Sequence, residues 1–248
     1  MDYIKSYKKE SPFLNMIGMG GGVSSLLTLA SGEATYIEDV FSTFLYDGTA
    51  SSQTITNGID LDGEGGLVWA KSRSSRNHIL SDTERGTGKV LFTNLTSGTD
   101  TDATTITSYN SNGFTMGTST LKMNTSGEEF VSWTFRKCPG FFDIVTWTAN
   151  GSVQQLSHNL GSVPGMIIVK RTDDTSNWLI WHRSLSNSLN DFLRFDTADK
   201  QSAVGVWGNN APTSDYFEFQ AQTSGREFIA YVFAHNDGSF GEDSDEAV

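Results

Sequence analysis

Cysteine is almost absent. Cys138 is the only one in the chain, so no intrachain disulfide can form and no cysteine-based zinc site can be assembled. A cytosolic site of synthesis is the simplest reading of that usage. Long apolar runs are missing too, and none approaches the roughly 18 residues that a spanning helix requires. The N-terminal MDYIKSYKKESPFLNMIGMGGG carries lysines, but Asn15 and the glycine cluster break the apolar stretch that follows, which makes it a poor signal peptide. Basic residues are scarce: 17 stand against 29 acidic ones, for a formal charge of −12. Such a chain gains nothing from counterion release on nucleic acid and is not drawn to anionic lipid. Neither nucleic-acid binding nor membrane insertion is expected.

Catalytic signatures are lacking as well. There is no Gly-x-Ser-x-Gly elbow, and Gly63, Gly65 and Gly66 are not followed by the Lys-Ser or Lys-Thr of a phosphate loop. His78, His158, His182 and His235 are scattered without metal-ligand spacing. A glycosidase needs two carboxylates about 5 Å or about 6.5–9.5 Å apart. Nothing in the sequence pairs Glu64, Glu84, Glu128, Glu129, Glu218 or Glu227 in that way. The expectation is a protein that is not an enzyme.

What is present points to β-structure. Hydrophobic residues make up 37% and charged residues 19%, and Gly, Ser, Thr and Asn fill the difference. The 12% aromatic share argues against disorder. Threonine and aromatics suit a pleated, half-buried surface.

The chain also repeats itself. Thr125 to Phe135 reads TSGEEFVSWTF, and 98 residues on, Thr223 to Phe233 reads TSGREFIAYVF. Gly66-Leu67-Val68-Trp69-Ala70-Lys71 matches Gly165-Met166-Ile167-Ile168-Val169-Lys170 at an offset of 99. Asn77-His78-Ile79-Leu80 matches Asn177-Trp178-Leu179-Ile180 at an offset of 100. Collinear matches at nearly constant offset mean a duplicated unit. Within each copy, short apolar runs alternate with turn signals such as Asn57-Gly58, Asn112-Gly113 and Asn150-Gly151. Phe228 to Phe233 is apolar on both faces, the pattern of a strand buried on both sides. The expected fold is all-β: two tandem β-sandwich units of jelly-roll or concanavalin-like type, residues 39–138 and 139–248, behind an N-terminal segment 1–38. One continuous sandwich with two similar sheets is the alternative.

Three groups of residues stand out as candidates. Trp178, Trp181 and Trp207 lie beside polar loops, where a flat ring can stack on a sugar; Trp207 can equally plug one end of a sandwich. Asp60, Asp62 and Glu64 alternate around a glycine, and calcium is the ion such hard oxygens would suit. An acidic turn is the plainer reading, with no cofactor at all. Phe13, Leu14, Met16, Ile17, Met19, Leu26 and Leu27 form an apolar leader with little local sequence to cover it, which marks an assembly segment.

The run from Trp133 to Phe142 (WTFRKCPGFF), His158-Asn159-Leu160-Gly161, Val163-Pro164-Gly165 and Asp82-Thr83-Glu84-Arg85-Gly86 resembles a domain of marine and cyanobacterial phage proteins. Those proteins look like tail fibres or related virion components with concanavalin-like sandwiches. The resemblance covers about residues 10 to 241 and implies no catalytic motif. It implies a virion tail location after synthesis in the host cytoplasm, attachment to other tail proteins through the N-terminus, and a homotrimer. It also implies a part in host attachment, with host-surface glycans as partners. A free carbohydrate-binding lectin is the alternative, and a glycan-degrading enzyme on the same fold is a third reading.

Overall fold

The computed structural model describes residues 35–118, 122–195 and 200–235. A four-residue helix, α1 (Ile37–Val40), leads into the first repeat. Its strands are β1 (Phe41–Asp47), β2 (Gln53–Thr56), β3 (Gly66–Ser72), β4 (His78–Asp82), β5 (Lys89–Phe92), β6 (Asp100–Thr101), β7 (Ile106–Asn110), β8 (Gly113–Met116) and β9 (Glu129–Arg136). The second repeat carries β10 (Phe142–Thr148), β11 (Val153–Ser157), β12 (Pro164–Arg171), β13 (Leu179–His182), β14 (Asp191–Phe192), β15 (Gln201–Ser202), β16 (Tyr216–Gln220) and β17 (Glu227–Ala234).

Strand order proves the duplication. The large sheet of the first repeat runs β1-β9-β3-β4-β5-β6 and that of the second runs β10-β17-β12-β13. In both, the first strand pairs with the last, the last with the third, and the third with the fourth, all antiparallel. Each repeat also has a small sheet, β2-β8-β7 in the first and β11-β16 in the second. Turn chemistry holds the register. Gly113 closes the β7–β8 hairpin at φ +127°, and a Cβ there would lie 2.0 Å from the Ile55 carbonyl oxygen. Only glycine fits.

Each repeat is a sandwich with its own interior. In the first, Ile55, Ile106, Phe114 and Met116 of the small sheet pack on Tyr46, Val68, Ala70, Ile79 and Phe130 of the large one. In the second, Leu156, Phe217 and Phe219 pack on Ile167, Val169, Ala230 and Val232. A third core lies between the repeats. Leu67, Leu80 and Leu91 of the first meet Phe142, Ile144, Ile168, Ile180, Ile229 and Tyr231 of the second. The two large sheets therefore stand back to back, and the described residues form four layers. This is why β12 and β17 are apolar on both faces: one face fills the sandwich, the other the inter-repeat layer. The chain is all-β, with two tandem sandwich units rather than one continuous sandwich, and both belong to one compact unit.

Candidate functional site

The inter-repeat face is covered unequally, and the uncovered part is an aromatic groove. Directly opposed residues in an antiparallel ladder share a face. On the first repeat, one row across β1-β9-β3-β4 reads Thr43, Trp133, Trp69, Leu80, and the next reads Leu45, Val131, Lys71, His78. The equivalent rows of the second repeat begin Ile144, Tyr231, Ile168, Ile180 and Thr146, Ile229, Lys170. All but Thr146 are buried there. On the first repeat Trp69, Trp133, Lys71 and His78 are only half-buried and Leu45 is 64% exposed.

Trp69, Lys71, His78, Trp133 and Phe135 line a groove of about 430 Å³ with mostly apolar walls. Trp69 and Trp133 sit edge to face, 6.0 Å between centroids. Phe195, exposed at the rim, lies 5.8 Å from Trp69 and 5.5 Å from Trp178. Lys71 donates to the carbonyl of Ser72. Its counterpart Lys170 is swallowed instead: its Nζ donates to the carbonyls of Ser176 (2.9 Å), Arg171 (3.0 Å) and Thr96 (3.1 Å), the last in the other repeat. Burial, reinforced by Lys71, holds the His78 imidazole below its ordinary pKa, so it is mainly neutral at pH 7. Aromatic faces, an ammonium and an imidazole on rigid strands can bind a ring-shaped polar ligand by stacking and hydrogen bonding.

The tryptophans expected from sequence are elsewhere. Trp178, Trp181 and Trp207 are 3%, 3% and 1% exposed. Their indole N–H groups donate to backbone: Trp178 to Phe92 (3.1 Å) and Leu95 (3.2 Å), Trp181 to Ser188 (2.8 Å), Trp207 to Asp191 (2.9 Å). None offers a ring face to an external sugar. Trp207 is the plug of its sandwich, 5.7 Å from Phe219, and Trp178 belongs to the inter-repeat core. The sequence signal that marks the groove is the difference between copies: Trp69 and Trp133 replace Ile168 and Tyr231, and His78 replaces Trp178.

Asp60 uses its Oδ1 to accept the Gly63 N–H at 2.9 Å, closing an acidic turn. It is not brought together with Asp62 and Glu64 into a cage: among the described residues no group of three His, Cys, Asp or Glu converges as a metal requires. Several glutamates have structural partners. Glu84 pairs with Lys137, Glu128 with Arg76 and Glu129 with Arg73. Glu218 accepts from the backbone of Asn209 and Asn210 and from the Asn210 amide, and these bonds hold its pKa below the usual range. The apolar leader residues Phe13, Leu14, Met16, Ile17, Met19, Leu26 and Leu27 lie outside the described residues.

A family model for a domain of unknown function, DUF7483, matches the chain twice, over residues 37–141 and 139–242. The chain belongs to the DUF7483 family. Its two DUF7483 domains coincide with the two structural repeats. No curated protein and no solved structure matches the chain.

Proposed function

We propose that this DUF7483 protein is a non-enzymatic structural component of a phage particle, fibre-like, that contributes to host-surface binding. The groove between Trp69 and Trp133 carries the binding part of this reading. Two indoles on adjacent central strands form a rigid platform, and such platforms lose little conformational entropy when a sugar stacks on them. The phage assignment rests on the sequence resemblance. In this reading the leader attaches the protein to other tail components and the assembly is a homotrimer, located on the virion after synthesis in the host cytoplasm.

Mass spectrometry and antibody labelling of purified particles test the placement. The protein should be present in a fixed copy number at the tail. Particles that lack it would leave a free lectin, which would use the same groove. Light scattering tests the stoichiometry: the mass of residues 1–248 should be three times that of the single chain and should fall to one chain for residues 36–248.

A further inference from the structure

The charge around the groove says which ligand it takes. The chain carries −12 overall, yet among the described residues no carboxylate lines this groove, and the charged or titratable walls among them are Lys71 and His78. Both stand in one cross-strand pair at one end of the platform. Among the described residues, Lys71 has no ion-pair partner in the structure. The neighbouring row on this face reads Asp47, then Glu129. Glu129 is held by Arg73 at 2.8 Å and Glu128 by Arg76 at 2.8 Å, while Asp47 lies on β1, with β9 between it and the strand of Lys71.

We infer that the groove binds an acidic saccharide, its pyranose ring stacked on Trp69 and Trp133 and its carboxylate on Lys71, with the imidazole of His78 beside it. The inference deepens the host-binding reading and rests on it. The comparison between repeats favours it. Lys170 satisfies its ammonium with three backbone carbonyls, whereas Lys71 makes one such bond and lines an open groove. A half-buried ammonium without an ion-pair partner, beside aromatic faces, stabilises an anion more than a neutral ring.

The test uses the full chain on an array of uronate- and sialate-terminated oligosaccharides printed beside their methyl esters, which keep the ring and remove only the charge. Titration of the best binder, followed by tryptophan fluorescence, gives affinities. The acid should bind at least tenfold tighter than its ester. Lys71→Met should abolish that ratio while leaving residual binding, and Trp133→Ala should weaken both by tenfold or more. Trp133→Phe, which keeps an aromatic face, checks that the loss is not misfolding. Equal binding of acid and ester overturns the acidic class and leaves the aromatic groove standing. No binding to any member of the array overturns the acidic class and the glycan reading together. A Trp133→Ala chain whose mass by light scattering falls relative to wild type would assign this face to contact between copies and overturn the inference.

Discussion

Tyr231 of the second repeat donates a 2.8 Å hydrogen bond to Asp82 of the first, and both side chains are buried. Arg85 completes the network. It pairs with Asp82 at 2.6 Å, donates to the Leu80 carbonyl at 3.1 Å and reaches the Tyr231 hydroxyl at 3.4 Å. Burial works against the Arg85 charge, but the Tyr231 and Asp82 oxygens more than offset it, so its pKa lies above the ordinary value. The repeats are thus joined by a polar clasp inside an apolar layer, where each member depends on the others. Tyr231→Phe should cost about 1–3 kcal/mol, the value of a buried bond to a charged group. Asp82→Asn should cost about 3–5 kcal/mol, because it strands a buried guanidinium. Urea midpoints of the singles and the double give the coupling across the repeats, expected above about 0.5 kcal/mol. Strict additivity would mean that the clasp does not join the repeats.

Lys170 provides a second test, through pH. Burial, with Arg171 adding to it, pushes its pKa down to about 8, against about 10.4 in an unfolded chain. Between those values the unfolded chain holds the extra proton, so this group makes stability rise with pH over that window. Lys170→Met removes the rise. It also leaves the carbonyls of Thr96, Arg171 and Ser176 without their donor, which should lower stability by about 1–3 kcal/mol near pH 7. The difference in urea midpoint between wild type and variant, followed from pH 7 to pH 10, should change with the stated sign. A flat difference would show that the ammonium is better solvated than its three short bonds imply.

Trp207 and Trp133 should separate stability from binding. Trp207→Ala empties a buried site in the second sandwich and should cost about 3–5 kcal/mol, with glycan affinity unchanged at temperatures where the chain stays folded. Trp133→Ala removes a half-buried ring and should cost less than half as much while weakening binding by tenfold or more. Thermal unfolding beside fluorescence titration reads both. Loss of glycan affinity in folded Trp207→Ala would return the site to the loop around that residue.

The duplication and the strand class were legible because they are written in local pattern: period-two alternation, Asn-Gly turns and the TSGEEF/TSGREF match. The groove was less legible for a physical reason. Trp207 sits between Gly205 and Gly208, and Trp178 follows the polar stretch 171–177, contexts that resemble binding loops, but Trp207 is packed inside its sandwich and Trp178 against the first repeat, and their indole N–H groups donate to backbone carbonyls. Trp69 and Trp133 sit in strand sequence that reads as core. Whether such a strand face is covered depends on how the two large sheets are offset, which is a tertiary property. Only the comparison of copies, Trp against Ile168 and Tyr231, carried a trace of it.

The offset has its own consequence. Phe142, Ile144, Ile168, Trp178, Ile180, Ile229 and Tyr231 of the second repeat are buried in the inter-repeat core. Cut free, residues 139–248 would expose them as one apolar face, larger than soluble monomers usually carry. Each of the larger side chains contributes about 1.5–3 kcal/mol when buried, so losing this layer removes a large share of what a domain of this size can hold in reserve. The second repeat alone should therefore self-associate or unfold, while residues 36–248 should unfold in a single urea transition with both repeats melting together. Light scattering and tryptophan fluorescence on the two chains decide it. A monomeric 139–248 with the midpoint of the longer chain would show that each sandwich is stable by its own interior, and that the back-to-back layer only sets their arrangement.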